Sequence, residues 1–324
     1  MPAAIRFYEH GGPEVLRVED LDPGKPGTHE VQVRHSAIGV NYIDVYDRTG
    51  LYPVKLPSGL GREAAGVITA LGRGVRGFKS GERVAYVYST PGAYSERRNV
   101  PAERLVKVPR GISDEQAAAL MLKGLTAQCL IRRTHRVVRG ETILVHAAAG
   151  GVGLILSQWA KALGAKVIGV VGSEAKAELA QRHGCWRVLI SGRDELVAGV
   201  RSLTKGAGVA AVYDAVGKDT FMDSLDCLRR LGIMVSYGNA SGPAPAIAPL
   251  ELARRGSLFL TRPSLFNYIT TRPELDAAAR ELFAAVRSRK VRVVIGQRYP
   301  LAEAAEAHAD LEGRRTTGST VLLP

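Results

Sequence analysis

The sequence predicts an α/β protein of two domains, the first β-rich and the second built on a doubly wound parallel sheet. Three observations predict it. The 324 residues are enough for about two domains. The first third carries short apolar runs separated by glycine and proline turns. From Ser113 onward, apolar runs alternate with helical patterns for about 140 residues, the texture of a sheet whose strands are joined through helices.

The elements follow in order. Strands are expected at 31–35, 66–71, 83–88 and 104–108. Gly11-Gly12-Pro13, Asp22-Pro23-Gly24, Gly72-x-Gly74 and Pro91-Gly92 mark the turns, so this part reads as a small, partly open barrel or sandwich. Ser113-Asp114-Glu115-Gln116 is a helix start, because the serine oxygen can accept an N–H three residues on while the glutamine reaches back. A short strand at 142–146 leads into a glycine turn at 150–153. Val152, Ile155, Trp159, Ala160 and Leu163 then form one helical stripe. Further strands at 166–171, 187–190, 209–213 and 233–237 are spaced by helices at 174–183, 194–204 and 219–230. Each helical crossover returns the chain to the same edge, so these strands must run parallel. After Pro263 a helix at 273–289, a strand at 291–295, a helix at 301–312 and an apolar strand at 319–323 are expected to rejoin the first domain.

Composition limits function. Hydrophobic residues at 46% and charged residues at 23% exclude disordered, collagen-like and coiled-coil chains. The unusual bulk quantity is charge: 44 Lys+Arg against 31 Asp+Glu leave +13. That suits an acidic partner such as nucleic acid or a phosphorylated ligand, or simply an Arg-rich surface. The first residues hold no apolar leader segment, and the uncharged runs at 142–160 and 231–250 are broken by glycines, and the second also by prolines, so no membrane span is expected. Cys129, Cys185 and Cys227 are odd in number and lack CxxC spacing, which fits a reducing cytoplasm. Seven histidines fall at no ligand spacing, and HxxxH, GxSxG and P-loop motifs are absent. Metal and nucleophilic catalysis therefore have no support in the sequence.

The turn His146-Ala-Ala-Ala-Gly-Gly-Val-Gly153 lies between strand and helix, where a dinucleotide fingerprint belongs. Read as GxGxxG, its positions are Ala148, Gly150 and Gly153. Gly150 lets backbone N–H groups approach a pyrophosphate, and Gly153 lets the helix pack tightly on the strand. At the end of the next strand, an NAD site usually carries a carboxylate for the ribose hydroxyls. Here that strand ends in Gly172, followed by Ser173, Glu174 and, one turn later, Lys176. A missing carboxylate, a hydroxyl donor and a cation favour the 2′-phosphate of NADPH over NADH. Glu174 is the inconvenient residue, and the expectation is that it points away.

Several segments in register resemble one family: GGPEVL at 11–16, GVNYIDVY at 39–46, PSGLG at 57–61, LKGLT at 122–126, AAAGGVG at 147–153 and RPSL at 262–265. They resemble the medium-chain dehydrogenase/reductase superfamily and, within it, the zinc-independent quinone oxidoreductases similar to zeta-crystallin. The resemblance implies a GroES-like catalytic domain over 1–122 and 262–324, a Rossmann domain over 123–261 and a cleft between them. Zinc-dependent members carry GHExxG and Cys-x-[ST]-Asp; here these read Gly61-Arg62-Glu63-Ala64-Ala65-Gly66 and Asn41-Tyr42-Ile43-Asp44, so no zinc is expected. The resemblance further implies that Asn41, Tyr42 and Tyr46 line the nicotinamide side and that Lys123 and Thr126 contact the cofactor. Gly151 and Val152 would meet the pyrophosphate, and Lys176, Ser191 and Arg314 the 2′-phosphate. Tyr237, Gly238 and Asn239 follow a strand at its C-terminal end, the expected ligand edge. Tyr46 and Tyr52 are candidate hydrogen-bond donors to the substrate oxygen, and Asn41 a candidate orienter. The expected activity is reduction of a small-molecule quinone with NADPH by a cytoplasmic homodimer. Alternatives are an NADPH-dependent enone or alkenal reductase and, in another class, an RNA-binding protein using the basic surface.

Overall fold

The computed structural model describes all 324 residues and divides into two compact units. One comprises Met1–Leu125, Ile269–Arg287 and Val293–Pro324, the other Thr126–Tyr268 with Ser288–Arg292. Along the chain lie β1 (Ala3–Phe7), β2 (Arg17–Asp20), β3 (Glu30–Val40), α1 (Tyr42–Thr49), β4 (Ser58–Gly59), β5 (Glu63–Leu71), β6 (Arg83–Val87), β7 (Arg97–Pro101), β8 (Leu105–Lys107), α2 (Asp114–Ala118) and α3 (Met121–Cys129). There follow β9 (Thr142–Val145), α4 (Gly151–Ala162), β10 (Lys166–Val171), α5 (Glu174–Arg182), β11 (Arg187–Ile190), α6 (Leu196–Leu203), β12 (Val209–Asp214), α7 (Phe221–Asp226), β13 (Leu228–Ser236), α8 (Pro249–Arg254) and β14 (Phe259–Thr261). The chain continues through α9 (Arg272–Arg287), β15 (Ile295–Pro300), α10 (Ala304–Glu312) and β16 (Ser319–Leu323).

The first unit is β-rich, as expected. Its larger sheet runs β15-β16-β3-β5-β6-β8, with β7 also paired to β3, and a three-stranded sheet runs β2-β1-β4. Phe7, Val33, Ile38, Ile68, Tyr86, Tyr94 and Leu322 pack in its core. The second unit is an all-parallel sheet in the order β11-β10-β9-β12-β13-β14, the doubly wound order in which the direction of winding reverses between β9 and β12. Every residue of β12 is buried, as expected for a strand covered by helices on both faces. Leu144, Ile168, Val200, Val212, Phe221 and Met234 form the core there.

Three expected elements differ. The helix expected at 219–230 shrinks to α7, because β13 begins at Leu228. Arg201 donates to the carbonyls of Asp226 (2.7 Å) and Leu228 (3.1 Å), and Leu231 adopts a left-handed φ of 60°. The helix expected from 194 starts at Leu196, because the Asp194 carboxylate accepts the Ile190 N–H at 2.7 Å and closes a turn. The strand expected at 291–295 is instead β15. Arg292 is tied through its backbone N–H (2.9 Å) and carbonyl (3.0 Å) to the Gln158 amide of α4, which holds this stretch away from the strand.

Candidate functional site

In the second unit, β9 ends at Val145 and the chain turns through Ala147, which stands just before the fingerprint and takes a left-handed φ of 49° that favours glycine. Gly150 caps α4 without a side chain, leaving the first amides of this 12-residue helix open to an anion. A Cβ on Gly153 would lie 2.3 Å from the Ala147 carbonyl oxygen, so only glycine lets α4 approach the turn this closely. These features fit a pyrophosphate cradle, with Gly150, Gly151 and Val152 at the helix start. The turn stands at the C-terminal end of β9, beside the winding reversal, where open parallel sheets bind ligands. Across that reversal the buried Asp214 accepts the N–H groups of Val216 and Gly217 and the Thr220 hydroxyl, shaping the loop after β12. Tyr237, Gly238 and Asn239 follow β13, and a Cβ on Gly238 would meet the Ala215 carbonyl at 2.4 Å.

The adjacent strand ends gather the group expected to face a ribose phosphate. Val171 pairs with Ile190, so Gly172, Ser173 and Glu174 lie alongside Ser191, Gly192 and Arg193. Gly172 has no heavy atom within 4 Å of a built Cβ, leaving open space at the end of β10. The Ser173 hydroxyl accepts the Lys176 N–H and caps α5. Glu174 does not simply point away: Arg193 pairs with it.

In the first unit, Asn41 is the N-cap of α1. Its backbone N–H donates to Asp44 Oδ2 (2.8 Å), and its side-chain amide donates to Glu63 Oε1 (2.8 Å). The same carboxylate oxygen receives the Lys123 ammonium at 3.0 Å, and the Leu122 N–H donates to the other oxygen. Glu63 thus fixes both Asn41 and Lys123 in the interior, a role not read from the sequence. Tyr46 is buried, with its ring between Tyr42 (5.8 Å between centroids) and the half-buried Tyr52 (5.1 Å). Burial pushes the Tyr42 phenol up, opposed by the charge of Arg314. Thr126 is half-buried on α3, in the second unit, and Ser191 is exposed after β11.

Behind Asn41 runs a buried chain of hydrogen bonds. Arg48 Nη1 faces His308 Nδ1 at 3.0 Å and can only donate, so Nδ1 accepts and the neutral ring carries its proton on Nε2. Nε2–H then donates to the Tyr94 oxygen (3.1 Å), and the Tyr94 hydroxyl donates to Asp44 Oδ2 (3.0 Å). Burial and Arg48 push His308 down to about 3. Burial and the neighbouring Asp47 push Asp44 up to about 7, and Asp44 Oδ1 has no hydrogen-bond partner.

The donor set does not fit zinc. Arg62 stands where the zinc-binding motif has histidine and grips Asp47 with two nitrogens at 2.7 to 3.0 Å. The Glu63 oxygens are occupied by N–H donors, and no three His, Cys, Asp or Glu side chains form a group that could hold a metal ion.

A GroES-like β-rich unit together with a Rossmann sheet and its glycine turn defines a medium-chain dehydrogenase/reductase. Residues 27–110 match the alcohol dehydrogenase GroES-like domain, and residues 151–284 match the zinc-binding dehydrogenase family. The chain is 52% identical to a quinone oxidoreductase of Pseudomonas aeruginosa, with all of both chains covered. It superposes with a TM-score of 0.97 on the Escherichia coli quinone oxidoreductase complexed with NADPH, at 50% identity over 99% of this chain and 100% of that one. A 2-haloacrylate reductase from a Burkholderia species is 45% identical over 100% of this chain and 99% of that protein. The chain belongs to the quinone oxidoreductases of the medium-chain dehydrogenase/reductase superfamily.

Proposed function

We propose that the protein reduces small-molecule quinones with NADPH and without zinc. The observation that carries this reading is its whole-chain match to quinone oxidoreductases, one of them crystallised with NADPH. In the second unit, Gly150, Gly151 and Val152 hold the pyrophosphate and Gly172, Ser173, Lys176 and Ser191 the 2′-phosphate; Arg314, in the first unit, is a further candidate for cofactor binding. Thr126, Tyr237, Gly238 and Asn239 complete the cofactor contacts of the second unit. Asn41, Tyr42, Tyr46 and Lys123 supply those of the first. The bound cofactor supplies the reducing equivalents. A quinone is an easy electrophile, so the chain chiefly has to orient it and exclude water. Tyr46 and Tyr52 donate hydrogen bonds to the substrate oxygen, and Asn41, held by Glu63, orients the ring. Water or one of these hydroxyls returns the proton.

A second reading, reduction of an activated carbon–carbon double bond, is favoured by the similarity to 2-haloacrylate reductase. An NADPH-oxidation assay comparing kcat/KM for a naphthoquinone, a 2-alkenal and 2-chloroacrylate decides between them. The quinone is expected to lead, and dominance of either alkene overturns the first reading. Dialysis against a strong chelator is expected to leave activity unchanged; loss restored by zinc would refute the zinc-free assignment. The comparisons lend the RNA-binding alternative no support.

The bounds proposed from the resemblance, 1–122 and 262–324 for the catalytic GroES-like domain and 123–261 for the cofactor domain, differ from the two compact units at 123–125, 262–268 and 288–292. No helix is long and apolar enough to cross a membrane. The three cysteines are buried free thiols, which suits a reducing cytoplasm. The edge strand β14 exposes Phe259 and Leu260, which suits a homodimer formed along that edge.

A further inference from the structure

Glu174 poses an electrostatic problem. It is the first residue of α5, next to Ser173 and two residues before Lys176, so its carboxylate lies where a 2′-phosphate would bring roughly two more negative charges. Binding of the phosphorylated cofactor ought to suffer from that repulsion.

The loop after β11 answers it. The Asp194 carboxylate accepts the Ile190 N–H at 2.7 Å, and the Arg193 N–H donates to the Ile190 carbonyl at 3.1 Å, with Gly192 left-handed at φ 81° between Ser191 and Arg193. This tight turn sets the Arg193 side chain on the neighbouring strand end. Its Nε and Nη2 lie on Asp194 at 3.1 and 3.3 Å, and its Nη1 reaches across to Glu174. The guanidinium is therefore held by both carboxylates at the junction of β10 and β11. As an exposed ion pair it contributes little to stability. Its placement matters for what binds beside it.

We infer that Arg193 is a cofactor-selectivity residue: by pairing with Glu174 it cancels, at the head of α5, the negative charge that would otherwise repel a 2′-phosphate. The inference rests on the NADPH reading and deepens it, since it explains how an acidic residue survives at this position. Arg193 does not need to touch the phosphate. Its work is done through Glu174, which makes it a positioning residue for the field at the site.

Isothermal titration calorimetry with NADP+ and NAD+ at low ionic strength tests this on the wild type, Arg193→Ala, and Arg193→Ala combined with Glu174→Gln. Both substituted positions are exposed, so folding is expected to survive, and a circular dichroism melt checks it. Arg193→Ala is expected to weaken NADP+ binding roughly tenfold while leaving NAD+ within about twofold. Adding Glu174→Gln is expected to restore NADP+ binding to near the wild-type value. An unchanged NADP+/NAD+ ratio in Arg193→Ala, or equal loss of both nucleotides, overturns the inference. Selective loss without rescue overturns it too, by showing that Arg193 contacts the phosphate directly. A wild type that binds both nucleotides equally refutes instead the NADPH reading on which the inference stands.

Discussion

Asp44 serves Asn41 at a cost. Its carboxylate anchors the cap of α1 and ends the hydrogen-bond chain from Arg48, yet it lies fully buried with one oxygen unpartnered. Its pKa of about 7 in the fold, against 3.8 when exposed, means that the folded protein holds this proton more tightly than the unfolded chain. The associated stability is complete below about pH 4 and is lost as pH rises towards 7. Asp44→Asn is therefore expected to raise stability at pH 8 by on the order of 3 kcal/mol and to change it little at pH 4. Urea unfolding at the two pH values measures this, and an equal shift at both would refute the assignment. On the cofactor side, Lys176→Ala is expected to cost about 1.5 to 3 kcal/mol of NADPH binding while sparing NADH, the range for a charge-assisted contact. Equal losses for both nucleotides in a binding titration would remove Lys176 from the phosphate site.

Two glycines separate packing from space at the level of the elements. A Cβ at Gly153 would collide with the Ala147 carbonyl at 2.3 Å, whereas Gly172 has open space around it. Gly153→Ala is expected to push α4 off the turn, costing about 1 to 3 kcal/mol of stability together with NADPH affinity. Gly172→Ala is expected to leave thermal stability nearly unchanged. Similar melting temperatures for the two variants would show that α4 does not depend on the close approach. The β9–turn–α4 unit was legible because several local signals agree: an apolar strand, small turn residues and a helical stripe. β7 and β15 were not legible. Arg97, Arg98 and Asn99 make up much of the first and Gln297 and Arg298 much of the second, and polar strands of this kind show no hydrophobic period. Likewise the Arg48–His308 contact joins residues 260 apart in sequence, and Arg193 meets Glu174 across a strand pair. Such pairings leave no trace in local spacing, so the site was legible only as far as motifs and resemblance reach.

At the scale of the whole molecule, the +13 balance turns partly inward. Arg48, Arg62 and Lys123 are buried ion-pair partners, and Arg83, Arg255 and Arg298 each hold a carboxylate nearer the surface. Three buried histidines set the acid limit. Burial pushes His35 down to about 4, His308 to about 3 and His146 below its ordinary value. Each stays neutral in the fold and gains a proton on unfolding below about pH 6.5, so stability present above that pH is lost as pH falls towards 4. Asp44 and Asp47, whose carboxyls burial pushes up, work in the opposite direction, but they are two groups against three. The urea midpoint is expected to be lower at pH 5 than at pH 7.5, and a midpoint that is flat or rises on acidification would refute this account. The sheet order also bears on synthesis. β16 lies inside the large sheet, between β15 and β3, yet it comes after every other strand in the chain. The second unit, contiguous over 126–268 apart from a five-residue return, can fold on the ribosome while β3 still waits for its neighbour. A chain stopped short of Ser319 would therefore leave an intact nucleotide sheet joined to a β3 whose edge is bare at Ile38, Gly39 and Val40, ready to recruit another chain.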